Sequence, residues 1–323
     1  MPDPAPRILP FGEAAITEAA RLVAAGEPVA VPTETVYGLA ADATRAEAVA
    51  RIYAAKGRPS FNPLIVHVLD PEAARALAEF DADALALAGA FWPGPLTLVL
   101  PLRPGAGVAS LVTAGLSTVA IRVPAHRAVR ALLEATAKPL AAPSANRSGA
   151  ISPTRAKHVA ASLGAAVPVI LDDGPTETGL ESTIVQGRTI LRPGPITAEQ
   201  IAAAWPLPTL HPGEGRGPVA VSLEGTHEHP TSPGQLLSHY APVKPLRLNA
   251  TTADPGEWLV GFGAVAGDDN LSPVGDPIEA AANLFDALHR ADESPKSRIA
   301  VAPIPRDGVG EAINDRLRRA AHG

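Results

Sequence analysis

Two cationic side chains two positions apart, Lys56 and Arg58, lie where a predicted helix ends. A glycine and a proline prevent that helix from continuing, and the apolar run at 64–68 predicts a strand. Cations and an amide, Asn62, on a stiff loop between a helix and a strand are typical of a site that holds an anion. The alternative is a solvated loop whose cations face water, and the loop by itself favours that alternative.

Two further loops place small polar side chains directly after an apolar run. Residues 32–35, Pro-Thr-Glu-Thr, follow a strand predicted at 29–31, and residues 143–149 follow a second apolar run. Because open α/β sheets place their ligands at the ends of strands, both loops are candidate ligand loops. An N-cap and turn explains the first loop equally well. Ser152 and Pro153 predict a helix start, which indicates either a phosphate site or simple capping.

Arg122 lies on a mostly apolar predicted strand and shares one face of it with Thr118. A buried, unpaired arginine costs too much free energy, so Arg122 either reaches an anion or pairs with a buried acid. A β-hairpin predicted over 182–192 places Ser182 and Arg192 at the open ends of its two strands.

Composition restricts the class of protein that can use these residues. A chain of 323 residues with 46% hydrophobic residues favours two domains with well-buried cores. The absence of cysteine excludes disulfides, thiolate nucleophiles and cysteine-ligated zinc. A net charge of −6 argues against a protein that binds nucleic acid over its whole surface, so any anion site is a local concentration of cations. We find no apolar run of membrane-spanning length and no signal-like N-terminus, and we predict a cytoplasmic protein without membrane association.

The order of predicted elements indicates an α/β fold with a mixed sheet, because strands alternate with helices and also form a hairpin. A capping box at 44–47 predicts the start of the helix that delivers Lys56. Residues 206–233 are rich in Pro, Gly and His and predict a semi-rigid linker. Its histidines, at 211, 227 and 229, could suggest a metal, but a His-rich linker is favoured without acids at ligand spacing. A loose dinucleotide-binding pattern at 261–266 is a weak signal because no helix start follows it.

Taken together, these patterns resemble one family across nearly the whole chain. The matching segments are Pro-Thr-Glu-Thr-Val-Tyr-Gly-Leu at 32–39, Lys-Gly-Arg-Pro at 56–59, Asn-Pro-Leu at 62–64, Trp-Pro-Gly-Pro-Leu-Thr at 92–97, Pro-Ser-Ala-Asn-Arg-Ser-Gly at 143–149, Glu-Ser-Thr-Ile at 181–184, Ser-His-Tyr-Ala-Pro at 238–242 and Ala-Ile-Asn-Asp-Arg-Leu at 312–317. Each motif is weak alone, but their joint occurrence in this order is specific. The chain is similar to the long form of the L-threonylcarbamoyladenylate synthases.

The resemblance implies a fold and a domain order. A YrdC-like catalytic domain, a twisted mixed sheet with flanking helices, is expected over residues 1–205. A linker that acts as a lid is expected over 206–243, and a smaller, Rossmann-like C-terminal α/β domain over 244–323.

The resemblance also implies a reaction. L-threonine and bicarbonate form N-carboxythreonine, and its carbamate oxygen attacks the α-phosphate of ATP to give threonylcarbamoyl-AMP and pyrophosphate. The enzyme would thus be a nucleotidyltransferase in tRNA processing, with Mg²⁺ accompanying ATP. Its product would pass to a separate enzyme system that makes N6-threonylcarbamoyladenosine (t6A) in tRNA.

The family pattern assigns roles to particular residues. Lys56 and Arg58 would be catalytic, offsetting repulsion among anionic substrates and stabilising the leaving pyrophosphate. The threonine end would be lined by Thr35, His67, Arg122 and Ser182. The ATP end would be lined by Arg58, Asn62, Thr118, Ser144, Asn146, Ser152, Arg192 and Tyr240. No protein residue is assigned to a metal.

Two other functions remain open at this stage. A concave basic surface of this fold could bind RNA, although the net charge and the low aromatic content argue for weak binding at most. A carbamoyl transferase related to hydrogenase maturation shares the catalytic fold. That function predicts carbamoyl phosphate as the substrate, together with zinc-finger and acylphosphatase-like segments upstream. We expect neither segment in a chain with no cysteine and a short N-terminus.

Overall fold

The computed structural model of the protein describes residues 5–205, 222–223 and 239–322. Most of the predicted linker, including its histidines, lies outside the described residues. The described part of the chain contains two sheets, one of eleven strands and one of four. None of its helices is long and apolar enough to cross a membrane.

The large sheet is mixed, with parallel and antiparallel neighbours, as the sequence predicts. Its strands are β1 Arg7–Pro10, β2 Val29–Pro32, β3 Tyr37–Asp42, β4 Ile65–His67, β5 Leu96–Pro101, β6 Thr118–Arg122, β7 Leu140–Ala141, β8 Val169–Asp172, β9 Thr183–Gln186, β10 Thr189–Arg192 and β11 Ser222–Leu223. They lie in the order β1-β8-β2-β3-β7-β4-β6-β5-β9-β10-β11. The predicted hairpin is confirmed, since β9 and β10 pair antiparallel.

Eight α-helices accompany the large sheet in the described residues. They are α1 Glu13–Ala24, α2 Ala46–Lys56, α3 Pro71–Leu77, α4 Ala82–Phe91, α5 Ser110–Thr113, α6 Arg127–Thr136, α7 Ala156–Leu163 and α8 Ala198–Ala204. Helix α2 ends at Gly57, whose φ of 59° is left-handed and suits a residue without Cβ. The chain therefore turns sharply after Lys56, as the sequence predicts.

Side chains of successive strand residues enter different cores on the two faces of the large sheet. On β2, Val29 and Val31 pack with α1 and α6, whereas Ala30 between them packs in the larger cluster with α2, α4 and α7. A small third cluster, built from Ile65, Val99 and three other strand residues, includes no described helix residue. Its five residues are nevertheless buried, each at 6% exposed or less.

The small sheet is entirely parallel and forms the C-terminal α/β unit. Its strands are β12 Leu246–Arg247, β13 Glu257–Gly261, β14 Asp269–Asn270 and β15 Arg298–Val301, in the order β12-β15-β13-β14, and its helices are α9 Pro277–Glu293 and α10 Val309–Ala320. The glycine pattern at 261–266 leads into β14 and not into a helix. The core of this unit also includes Val36, Ile151 and Leu180 from the first part of the chain. The two units therefore share one buried interface.

Two predicted helix caps are wrong, although helix α2 itself begins at Ala46 as predicted. The Thr44 hydroxyl donates to Asp42 Oδ1 at 2.7 Å and does not cap α2, whose N-cap is Arg45 without a side-chain bond. Ser152 does not begin a helix either, because its hydroxyl donates to Glu181 and α7 starts only at Ala156. Thr44 bonds to a residue two positions before it, and Ser152 to one 29 positions away, so both hydroxyls have partners other than the helix terminus.

Candidate active site

A pocket lies at the large sheet, where several loops meet the strand ends. The residues that line it are Thr33, Thr35, Val36, Gly38, Arg58, Ile65, His67, Arg122, Ala142, Pro143, Ser144, Glu181, Ser182, Arg192, His239 and Tyr240. Eight of the residues predicted to bind substrates are in this set. Residues from distant parts of the chain therefore converge as the resemblance implies.

One end of the pocket is organised by a buried ion pair. Arg122 at the end of β6 donates from Nη2 to Glu34 Oε1 at 2.6 Å and from Nη1 to Thr35 Oγ1 at 2.8 Å. The other oxygen of Glu34 accepts from the backbone amides of Ala125 and His126. Burial alone would raise the pKa of Glu34, but Arg122 holds it below its ordinary value. Arg122 thus pairs with a buried acid, one of the two outcomes expected from the sequence.

His67 lies beside Arg122, because β4 and β6 pair in a register that sets these residues opposite one another. Its Nδ1 is buried without a hydrogen-bond partner among the described residues. Burial, with Arg122 adding to it, lowers the pKa of His67 to about 3. The ring is therefore neutral near pH 7 and can donate a hydrogen bond to a ligand or accept one from it.

The hairpin supplies a hydroxyl and a guanidinium to the pocket. Arg192 donates from Nε and Nη2 to the carbonyl of Ser182, at 3.1 and 2.9 Å, and from Nη2 to its hydroxyl at 3.1 Å. The Ser182 hydroxyl also lies 2.7 Å from Thr97 Oγ1 on β5. The antiparallel pairing of β9 and β10 therefore fixes the orientation of both predicted ligand residues.

The loop after α2 gives Arg58 to the pocket. Arg58 Nη2 donates to Asn62 Oδ1 at 2.6 Å and to the Pro63 carbonyl at 2.9 Å, while Nε donates to the Asn62 carbonyl. Burial lowers the pKa of Arg58 to about 10, which still leaves it charged at neutral pH. Asn62 holds Arg58 in place and does not itself line the pocket.

Lys56 lies behind the pocket wall. Its Nζ donates to the carbonyls of Ser144 and Asn146, at 2.5 and 2.6 Å, and its own carbonyl accepts from the Ser148 amide. Burial, followed by Arg58, lowers the pKa of Lys56 well below its ordinary value. Asn146 braces the same loop by donating to the carbonyls of Arg147 and Ala150. Lys56 and Asn146 therefore support the loop formed by residues 143–149, which we call the Ser144 loop.

Residues at the C-terminal end of the linker cover the pocket. Tyr240 is 1% exposed and has a left-handed backbone with φ of 65°, which is strained for a tyrosine. The next residue anchors the segment, because the Ala241 amide donates to the Gly149 carbonyl at 2.8 Å. The Tyr240 hydroxyl is buried without a partner among the described residues. Tyr240 thus lines the pocket from the end of the linker segment.

Thr118 and Ser152 lie apart from the pocket lining. Thr118 begins β6, about 13 Å along the strand from Arg122 at 3.3 Å per residue. Ser152 reaches the pocket only through Glu181. Glu34, Glu181 and Arg316 were not predicted as site residues, and Arg316 contacts Glu181 from α10. A usable signal existed for Arg316, since it is a cation on the apolar face of a helix.

Among the described residues, no group of three or more His, Asp or Glu side chains could hold a metal ion. The two acids nearest the pocket are already paired, Glu34 with Arg122 and Glu181 with Arg316. A divalent cation at this site would therefore depend on oxygen ligands from a substrate and from water.

His289 makes folding stability depend on pH. It lies at the interface between the two units, stacked on His158 with ring centroids 3.8 Å apart, and its Nε2 lies 3.1 Å from the Ser152 carbonyl. Burial, with His158 adding to it, lowers the pKa of His289 to about 3. In the unfolded chain His289 takes up a proton below about pH 6.5, whereas in the folded protein its ring stays neutral until about pH 3. The free energy of unfolding is therefore undiminished above pH 6.5 and decreases as the pH falls, by about 2 kcal/mol at pH 5.

The expected result is a weaker pH dependence of unfolding in His289→Gln. Urea unfolding of the wild type should show that the free energy of unfolding decreases between pH 8 and pH 5. This decrease should be smaller in His289→Gln. His322→Gln removes an exposed histidine and should leave the pH dependence unchanged. Equal pH slopes for the two variants would contradict this account of His289.

Comparison with known proteins agrees with the fold. Residues 21–194 match the Sua5/YciO/YrdC family, described as "Telomere recombination", and residues 196–322 match a family described as "Threonylcarbamoyl-AMP synthase, C-terminal domain". The chain is 42% identical to the threonylcarbamoyl-AMP synthase of Bacillus subtilis over 95% of this chain and 93% of that protein. It is 38% identical to that of Pyrococcus abyssi over 94% and 93%.

A solved structure extends this similarity to three dimensions. The chain superposes on P. abyssi Sua5 complexed with L-threonine with a TM-score of 0.86 and 35% identity, covering 98% of each chain. The fold and the pocket thus define an enzyme of the Sua5/YciO/YrdC class followed by a second α/β unit. Within that class, the chain belongs to the threonylcarbamoyl-AMP synthase family.

Proposed function

We propose that this protein joins L-threonine, bicarbonate and ATP to form threonylcarbamoyl-AMP and pyrophosphate. The observation that carries the proposal is the concentration of buried cations at one pocket in a chain of net charge −6. Arg58, Arg122 and Arg192 line the pocket and are no more than 8% exposed. Every substrate has an anionic group, so bringing the substrates together requires such an arrangement.

The reaction needs positioning and charge stabilisation more than a protein nucleophile. The threonine amine adds to the carbon of bicarbonate with loss of water, giving a carbamate. A carbamate oxygen then attacks the α-phosphorus of ATP, and the bond to the bridging oxygen breaks so that its electron pair leaves with pyrophosphate. Fixed guanidinium groups stabilise the negative charge that develops on the phosphates.

We assign the Arg122 end of the pocket to threonine and the Arg58 end to ATP. Thr35, Ser182 and the neutral ring of His67 offer hydrogen bonds beside Arg122. Because His67 is neutral, it can accept a hydrogen bond from the threonine amine without repelling it. Arg192, Ser144 and Tyr240 serve the nucleotide with Arg58. Lys56 contributes indirectly by holding the Ser144 loop, and Asn62 by holding Arg58.

We infer that Mg²⁺ enters the site bound to ATP and not to the protein. The acids beside the pocket, Glu34 and Glu181, already have arginine partners. Magnesium would neutralise phosphate charge while retaining several waters. The product, a reactive mixed anhydride, would be consumed by a separate enzyme system that transfers the threonylcarbamoyl group to adenosine in tRNA.

The test of the proposal is pyrophosphate release with each substrate omitted in turn. Release should require ATP, bicarbonate and threonine together, and serine or valine should replace threonine poorly. Release at an unchanged rate without threonine or without bicarbonate would refute the proposed reaction.

Tyr240→Ala should weaken ATP binding about ten-fold or more, which corresponds to the loss of one well-packed aromatic contact. The ring closes the pocket, and its removal admits water to the nucleotide. Tyr240→Phe is the matched control, since it keeps the ring and removes only the hydroxyl. Direct titration with ATP measures both. Unchanged ATP affinity in Tyr240→Ala would exclude the lid role.

A further inference from the structure

Arg316 is a charged residue in a position that helix geometry reserves for apolar side chains. It lies on α10 among Ala312, Ile313 and Leu317, all buried in the core of the C-terminal unit. Its own side chain is 0% exposed. A buried guanidinium is retained only where specific partners offset the loss of hydration.

The partners of Arg316 lie mainly outside its own unit. Nε donates to Glu181 Oε2 at 2.8 Å, and Nη2 donates to the Pro193 carbonyl at 3.0 Å. Nη1 donates to Asp315 at 2.7 Å. The guanidinium also lies over the ring of Tyr240, 5.0 Å from its centroid. A single side chain of the second unit thus contacts three segments at the nucleotide end of the pocket.

Glu181 needs this partner because of where it stands. Its carboxylate lines the pocket and also accepts a hydrogen bond from Ser152. A bare carboxylate there would repel ATP and the carbamate. Burial alone would lower the pKa of Arg316, but Tyr240, Glu181 and Asp315 raise it, so the guanidinium stays charged. The pair presents no net charge to the substrates.

We propose that Arg316 is a positioning residue of the active site, through which the C-terminal unit completes the ATP-binding end. It holds Tyr240 over the pocket, fixes and neutralises Glu181, and secures the strand end that carries Arg192. This inference rests on the proposed function, because it takes the nucleotide end of the pocket to be where ATP binds.

A second ion pair across the same interface provides a matched control. Arg155 donates to both oxygens of Asp286 on α9, at 2.9 and 3.2 Å, and does not line the pocket. Removing either arginine loosens the interface between the units. Only the removal of Arg316 should alter the nucleotide end. Comparison of the two separates a positioning role from simple attachment of the domains.

The experiment measures ATP binding by titration, and KM and kcat for adenylate formation, in full-length Arg316→Met, Arg316→Lys and Arg155→Met. Arg316→Met should raise the Kd for ATP about ten-fold or more, with the KM for threonine changed much less. Arg155→Met should lower the unfolding temperature and leave the Kd for ATP unchanged. Equal ATP affinities in Arg316→Met and Arg155→Met would overturn the proposal.

Two further variants keep the test decisive if Arg316→Met does not fold. Arg316→Lys keeps the charge but loses the planar contact with Tyr240, and should give an intermediate ATP affinity. Combining Glu181→Gln with Arg316→Met removes the unpaired carboxylate and should recover part of the affinity. Wild-type affinity in Arg316→Lys, or no recovery in the double variant, would count against the proposal. A wild type that binds ATP but makes no adenylate would refute the proposed reaction and leave the role of Arg316 standing.

Discussion

Arg122→Met is expected to destabilise the protein by about 3–5 kcal/mol, the usual cost of removing one partner of a buried ion pair. Glu34 is 6% exposed and would lose the guanidinium that offsets the cost of burying its carboxylate. The substitution also removes the hydrogen bonds to Thr35 and to the Gly94 carbonyl. The threonine end of the pocket would lose both its cation and the group that orients Thr35.

Urea unfolding and the KM for threonine measure the two consequences separately. Arg127→Met is the matched control, because Arg127 pairs with Asp173 while 71% exposed, and an exposed pair is worth about 1 kcal/mol or less. Adding Glu34→Gln to Arg122→Met should restore part of the stability and none of the affinity for threonine. If Arg122→Met and Arg127→Met lost similar stability, the buried pair would not have the role assigned here.

Arg58→Ala is expected to lose about 2–4 kcal/mol of transition-state stabilisation. This loss lowers kcat/KM by roughly 30- to 1,000-fold. Arg58 is buried at the pocket and is aligned by Asn62 and the Pro63 carbonyl, so little reorganisation is needed as charge develops. Arg58→Lys should recover only part of the activity, because an ammonium cannot reproduce the planar set of bonds.

Arg147→Ala provides the control for Arg58. Arg147 belongs to the Ser144 loop but is exposed and donates to Ser162, outside the pocket. Its removal should leave kcat/KM within about two-fold of the wild type, as for other surface substitutions. Near-wild-type turnover in Arg58→Ala would remove Arg58 from the mechanism.

The elements of this protein were predictable where apolar runs end in residues that break them. Helix α2 ends at Gly57, and the hairpin of β9 and β10 follows from two apolar runs separated by three polar positions. In these places the local sequence alone decides the backbone, so the Arg58 loop, Ser182 and Arg192 fell where the sequence analysis expected them.

Small polar residues were harder to place, because other side chains, near or distant in sequence, compete with the helix terminus for their hydroxyls. Thr44 and Ser152 both carry good capping signals, yet their hydroxyls bond to Asp42 and Glu181. The pairing of Ser152 with Glu181 spans 29 residues, which no local pattern encodes. The contacts of Lys56 could not be predicted from the sequence either. Its Nζ donates to carbonyls of the Ser144 loop, and the fold brings these two segments together.

The contacts that the C-terminal α/β unit makes with the pocket residues were not predicted from the sequence. The motif containing Arg316 was visible in the sequence, but nothing local showed that its side chain crosses an interface to reach Glu181 and Tyr240. Composition made the whole chain acidic, whereas the fold gathers its buried arginines around one pocket. The distribution of charge, and not its total, carries the functional information.

The most direct test of the central claim uses ¹³C-labelled bicarbonate. The wild-type protein is incubated with ATP, Mg²⁺, L-threonine and labelled bicarbonate, and the nucleotide products are analysed by mass spectrometry. We expect threonylcarbamoyl-AMP that carries the ¹³C label, formed together with pyrophosphate and absent when threonine is omitted. An adenylate without the label, or ATP cleavage that yields phosphate and no adenylate, would contradict the central claim.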